Sequence, residues 1–151
     1  MPVSQSRKHL SVRAMLVLSP CLLLIGAFTP PKGPDDPCKL FTQDEIKALI
    51  GAAVEAGSAS IAGCQWSSAD YESSAQIQII EDTSYYEPHK GAKDYSELTG
   101  VGLYGWSGFE MGSWVASSNT GRFVLLTMVT SAKGERATAV KFLSMLAERV
   151  K

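Results

Sequence analysis

Apolar positions fall into two helical stretches and a set of strand-like runs. The first helix is marked at both ends. Thr42 followed by Glu45 forms a capping box, Phe41 and Ile46 occupy the staple positions around it, and Gly51 provides a left-handed stop. Between these signals Ile46, Leu49 and Ile50 form one apolar stripe. A helix from about Gly134 to Val150 is predicted by Val140, Leu143, Leu146, Ala147 and Val150 at three- and four-residue spacing. Glu135 near its start and Arg149 near its end suit the helix dipole.

Between the helices the period changes to two. Ile61 to Ser67 reads as a strand, with Cys64 and Trp66 on one face. Ser74 to Glu81 alternates Ile77 and Ile79 against Gln76 and Gln78, with Ser67 to Glu72 as the hairpin connection. Gly112 to Ala116 and Arg122 to Val129 form a second hairpin around a Ser117–Gly121 turn. The latter strand is apolar on both sides, which places it centrally in a sheet. Ala52 to Ala62 reads as an irregular link with a short strand at Val54, and Gly91 to Leu98 as a helical turn or two. Five glycines between Gly100 and Trp114 predict tight turns and bulges between short strands. The expected fold class is α+β, a mainly antiparallel sheet of four or five strands packed by N- and C-terminal helices.

The chain has 151 residues, 45% hydrophobic and 19% charged, which supports one domain with a real core and argues against disorder. Fourteen basic against 15 acidic residues give no electrostatic footprint for nucleic acid. The N-terminus has its own pattern. Arg7, Lys8 and Arg13 precede an apolar run from Ala14 to Phe28, as in a secretory signal ending at Ala27; an uncleaved anchor is the alternative. Pro20 before Cys21 and the apolar residues after it argue against lipid attachment, so Cys21 is expected to leave with the signal. Membrane association would then come only through an uncleaved signal or through lipid on Cys21.

Removing residues 1–27 leaves 11 basic and 15 acidic residues and two cysteines, Cys38 and Cys64. In an exported chain such a pair reads as a disulfide. Closing a loop of about 27 residues contributes about 3.5 kcal/mol in the chain-entropy model. A metal site is unsupported because His89 is the only histidine after residue 27, and no cofactor is expected. Pro30, Pro31, Pro34 and Pro37 make residues 28–37 an extended spacer, followed by a single domain over 38–151.

The segment Asp36-Pro37-Cys38-Lys39-Leu40-Phe41-Thr42, with Glu45 and Gly51, resembles the Asp-Pro-Cys-x-Leu-Leu-Thr-x-x-Glu opening of small bacterial cell-envelope proteins. These are grouped as domain of unknown function family 3558, many of them lipoproteins. Gly63-Cys64-Gln65-Trp66 is similar to the family's Cys-x-Trp strand and Gly100-Val101-Gly102 to its Gly-x-Gly, so the likeness spans roughly residues 36–150. Leu103 departs from it, since an acidic residue usually follows the Gly-x-Gly there. The resemblance implies an exported α+β domain with a Cys38–Cys64 bridge and implies no reaction.

Catalytic signals are sparse. There is no Gly-x-Ser-x-Gly elbow and no phosphate-binding loop. His89 beside Glu87 and Lys90 is a candidate general base, against the plainer reading of an exposed loop histidine. The pairs Asp35/Asp36 and Glu81/Asp82 read as solvated charges. What remains is an aromatic set on loops, Tyr85, Tyr86, Tyr104, Trp106, Phe109 and Trp114, which competes with core packing for the same residues. Tyr85, Tyr86 and Trp106 are expected to be the exposed ones. A binding surface is expected at Tyr85–His89 and Gly100–Phe109, with Tyr104 and Phe109 contributing, away from the disulfide end. The function expected is a non-enzymatic exported protein that binds an envelope protein or small ligand. A small extracytoplasmic hydrolase and a periplasmic inhibitor or immunity protein are the alternatives.

Overall fold

The computed structural model describes residues 32–132 and 134–151; the expected signal segment, with Cys21, lies outside the described residues. Helix α1, Gln43–Ile50, is built as its caps require. The Glu45 amide donates to the Thr42 hydroxyl at 3.3 Å, and the Thr42 amide donates to the Glu45 carboxylate at 2.9 Å. Gly51 closes it at φ 73°. Seven strands follow: β1 Ser58–Ser60, β2 Gly63–Ser67, β3 Ser74–Ile80, β4 Lys93–Leu98, β5 Tyr104–Glu110, β6 Ser113–Asn119 and β7 Val124–Thr130. Helix α2, Arg136–Arg149, ends the fold.

The strands form one antiparallel sheet in the order β1-β2-β3-β7-β6-β5-β4. The α+β class holds, but the sheet has seven strands rather than four or five. The extra strands carry no apolar alternation. β1 is Ser-Ala-Ser, and β4 is Lys-Asp-Tyr-Ser-Glu-Leu with a register shift between Lys93 and Ser96 and Asp94 at φ 55°. The latter stretch is therefore an edge strand, not helical turns; β5 can pair with it there whatever its side chains are. The glycines of β5 do not mark turns. A Cβ on Gly108 would lie 2.7 Å from Ala92 Cβ, so glycine is what lets the chain beside β4 approach the sheet. β7 is the middle strand, as its two apolar faces require.

Both helices pack on one sheet face. Trp66, Ala75, Ile77, Leu125, Val129 and Ala116 meet Phe41, Ile46, Phe142, Leu143 and Leu146 there. Cys38 and Cys64 are disulfide-bonded, with Cα atoms 5.1 Å apart. A Cβ on Gly57 would fall within 2.8 Å of both Cys64 Sγ and the Trp66 indole, so the tryptophan lies beside the bridge. Arg149 ties the two helices together. It donates to a Glu45 carboxylate oxygen at 2.6 Å and to the Leu40 carbonyl, and its guanidinium lies over the Phe41 ring.

The spacer is less detached than its composition predicts. The Gly33 amide donates to the Glu81 carboxylate at 2.7 Å, at the end of β3. On the sheet face away from the helices, registered rows such as Gln65, Gln76, Met128 and Val115 run across β2, β3, β7 and β6. Segment 81–92 crosses the β5 part of that face, and His89 from it stacks on Trp106.

Candidate functional site

The chain between β3 and β4 builds a groove with the lower ends of β4 and β5. A 3-10 turn at Thr83–Tyr85 starts it, capped by Asp82, whose carboxylate accepts from the Ser84 amide at 2.9 Å. Tyr86, Pro88 and Lys90 form one wall. Tyr95, Glu97, Thr99, Leu103 and Tyr104 form the other, around a space of about 330 Å³. Tyr95, Glu97 and Thr99 alternate along the chain, and Glu97 pairs with Trp106 in register. The rings of Tyr86 and Tyr104 have centroids 6.5 Å apart and planes inclined by 31°. The Tyr86 phenol is held above its ordinary range by burial, and the neighbouring Tyr95 and Glu97 push it the same way.

Of the residues the sequence points to, Tyr86 and Tyr104 line this groove, Tyr104 with 67% of its surface exposed. Tyr85 is exposed beside it on the 3-10 turn. Two expectations fail. Trp106 is 2% exposed, with His89 stacked on it at 5.2 Å and Tyr95 at 6.2 Å; its chain neighbours are small and polar, but the crossing segment covers it. Phe109 alternates onto the helix-facing side of β5 and meets Trp114 edge-on at 5.4 Å. It therefore faces away from the groove, as does Trp114, which packs against the core and lies under the Arg136 guanidinium. Leu103 falls within the expected Gly100–Phe109 segment, whereas Lys90, Tyr95 and Glu97 lie outside both expected segments. The Tyr95-x-Glu97-x-Thr99 alternation could have found Tyr95 and Glu97, had the stretch been read as a strand.

His89 is exposed and on a loop, yet it is anchored. Its Nδ1 lies 3.1 Å from Glu110 Oε1 and 3.2 Å from Oε2, and its ring stacks on Trp106. Among the described residues its ring is paired with the Glu110 carboxylate and with no hydroxyl or thiol. The acidic pairs hold the chain in place: Asp35 pairs with Lys32, Asp36 accepts from the Cys38 amide, Glu81 accepts from Gly33, and Asp82 caps its turn. A second cleft of about 300 Å³ lies between Gly100–Gly102 and the end of α2, where Ser144, Ala147 and Glu148 offer no aromatic face. Among the described residues no group of three metal-binding side chains occurs, and no helix is long and apolar enough to cross a membrane.

The groove and the disulfide lie at opposite sides of the sheet. β2 and β5 are four strands apart, roughly 19 Å at ordinary strand spacing. The bridge is compatible with an oxidising, extracytoplasmic location. Comparison with family models, with curated proteins and with solved structures yields no match to this chain.

Proposed function

We propose that this chain is an exported cell-envelope protein of the kind its Asp36–Thr42 and Cys64-x-Trp66 motifs resemble, acting as a non-enzymatic binding module for a protein or small ligand. The observation that carries the reading is the groove: exposed Tyr104, half-buried Tyr86 and Tyr95, and exposed Leu103 gathered around one concavity. Tyrosine is prominent at binding hot spots because it combines a large apolar face with a polar end, and it orders few torsions on binding. The disulfide and the signal-like N-terminus support export. The hydrolase alternative would rest on the His89–Glu110 pair, which is not part of the groove's lining.

Two measurements test the proposal. Fractionation of cells expressing the full chain should place it outside the cytoplasm, with Phe28 as its new N-terminus; retention in the cytoplasm refutes export. Binding is tested by passing envelope extract over wild-type and Tyr104→Ala protein side by side. A component retained by the wild type and lost on the variant supports the groove. Equal retention by both rules it out as the binding site.

A further inference from the structure

Resting on the binding-module reading, we propose that the Tyr86–Tyr104 groove is a site for a neutral glycan. The lining is apolar in its faces and polar at its ends. Tyr86, Tyr95 and Tyr104 present rings, and Pro88 and Leu103 extend the apolar surface. The three phenols, Thr99, Lys90 and Glu97 bring six polar ends to the same lining, and among the described residues none of these ends is hydrogen-bonded to another protein group. A purely apolar ligand would cover them without supplying partners, which is costly for every group it desolvates. A pyranose ring has the matching surface: C–H faces that lie on aromatic rings, and a rim of hydroxyls that both donate and accept.

The charges narrow the choice. One lysine and one glutamate leave the groove neutral, which favours neither a polyanion nor a polycation. A quaternary ammonium would suit tyrosine faces and Glu97 but meets Lys90 in the same space. A proline-rich peptide would also suit the rings. Its carbonyls accept from the phenols and Lys90, but its proline residues have no N–H to give Glu97. Sugar hydroxyls answer both kinds of end. The Tyr86 and Tyr104 rings lie close together in this lining, with centroids 6.5 Å apart and planes inclined by 31°, so one oligosaccharide can reach both.

The test titrates the purified full chain with neutral hexasaccharides of α- and β-linked glucose, of mannose and of N-acetylglucosamine, alongside choline and a proline-rich decapeptide. At least one hexasaccharide should bind saturably, with an affinity little changed by added salt. Tyr104→Ala should weaken it at least about tenfold at an unaltered melting temperature. Glu97→Gln should weaken it less, because the amide keeps one acceptor. Failure of every hexasaccharide to bind overturns the inference, as does sugar binding that Tyr104→Ala leaves intact. If choline or the decapeptide binds instead and Tyr104→Ala abolishes that binding, the glycan assignment falls while the binding-module reading stands.

Discussion

Trp106 and Tyr104 are two positions apart on the same face of β5, yet one is buried and the other is largely exposed. The difference lies in what crosses above each of them. His89 stacks on Trp106 at 5.2 Å, whereas the Tyr86 ring stands 6.5 Å from that of Tyr104 and leaves it largely exposed. Trp106→Ala should therefore cost about 3–5 kcal/mol, seen as a large drop in melting temperature. Tyr104→Ala should stay within about 0.5 kcal/mol of the parent. Equal losses in the two variants would show that the tyrosine is core. A separate residue-scale effect sits at the β5–β6 hairpin. Met111 is 100% exposed and held at φ 49°, followed by Gly112 at φ 85°. Both central residues of that turn need positive φ, for which Asn-Gly is the favoured pair. Met111→Asn should raise stability by up to about 1 kcal/mol, measurable as a shift of the urea midpoint.

At the scale of elements, the two helices are joined by a charged clamp as well as by apolar packing. Arg149 on α2 hydrogen-bonds Glu45 on α1, and this, with the Thr42 amide, lowers the Glu45 carboxyl from 4.5 to about 2. A carboxyl depressed on folding contributes stability that is complete above its unfolded value and disappears as pH falls through its folded value. The clamp should therefore stabilise the fold fully above about pH 5 and fade between there and about pH 2. Because Glu45 is partly solvated, the effect is on the order of 1 kcal/mol. Glu45→Gln should lower the urea midpoint at neutral pH and converge with the parent near pH 2. A constant gap across that range would mean that the substitution acts through packing alone.

Across the whole molecule, the pairing of β3 with β7 joins two meanders, β1-β2-β3 and β4-β5-β6-β7, into one sheet. The disulfide belongs to the first and the groove to the second. Replacing both Cys38 and Cys64 by alanine should cost roughly 3.5 kcal/mol of stability in thermal or denaturant unfolding. Ligand retention by the folded fraction should be unchanged, since the bridge touches no groove residue. Loss of binding from protein that is still folded would show that the two halves are coupled.

Local patterns determined α1, β2, β3, the β6–β7 hairpin, α2 and the cysteine pair. The elements are written in residues near one another: the Thr42–Glu45 box, the Ile77/Ile79 alternation and the Leu143/Leu146 stripe; the cysteines were legible as a pair because Cys38 and Cys64 are the two that follow residue 27. The tyrosines Tyr86 and Tyr104 were also legible as site candidates, because aromatics among glycine and proline have no periodic role. Tertiary structure alone decided the rest. β1 and β4 are strands because neighbours supply their hydrogen bonds, which carry no side-chain signal. Trp106 is buried because the segment leading into β4 folds back over it, and Phe109 turns to the helix-facing side because β5 is regular through its glycines. Lys90, Tyr95, Glu97 and Leu103 became one surface with the tyrosines only when β4 closed the sheet beside β5, since a groove is a relation between segments that no single stretch of residues contains.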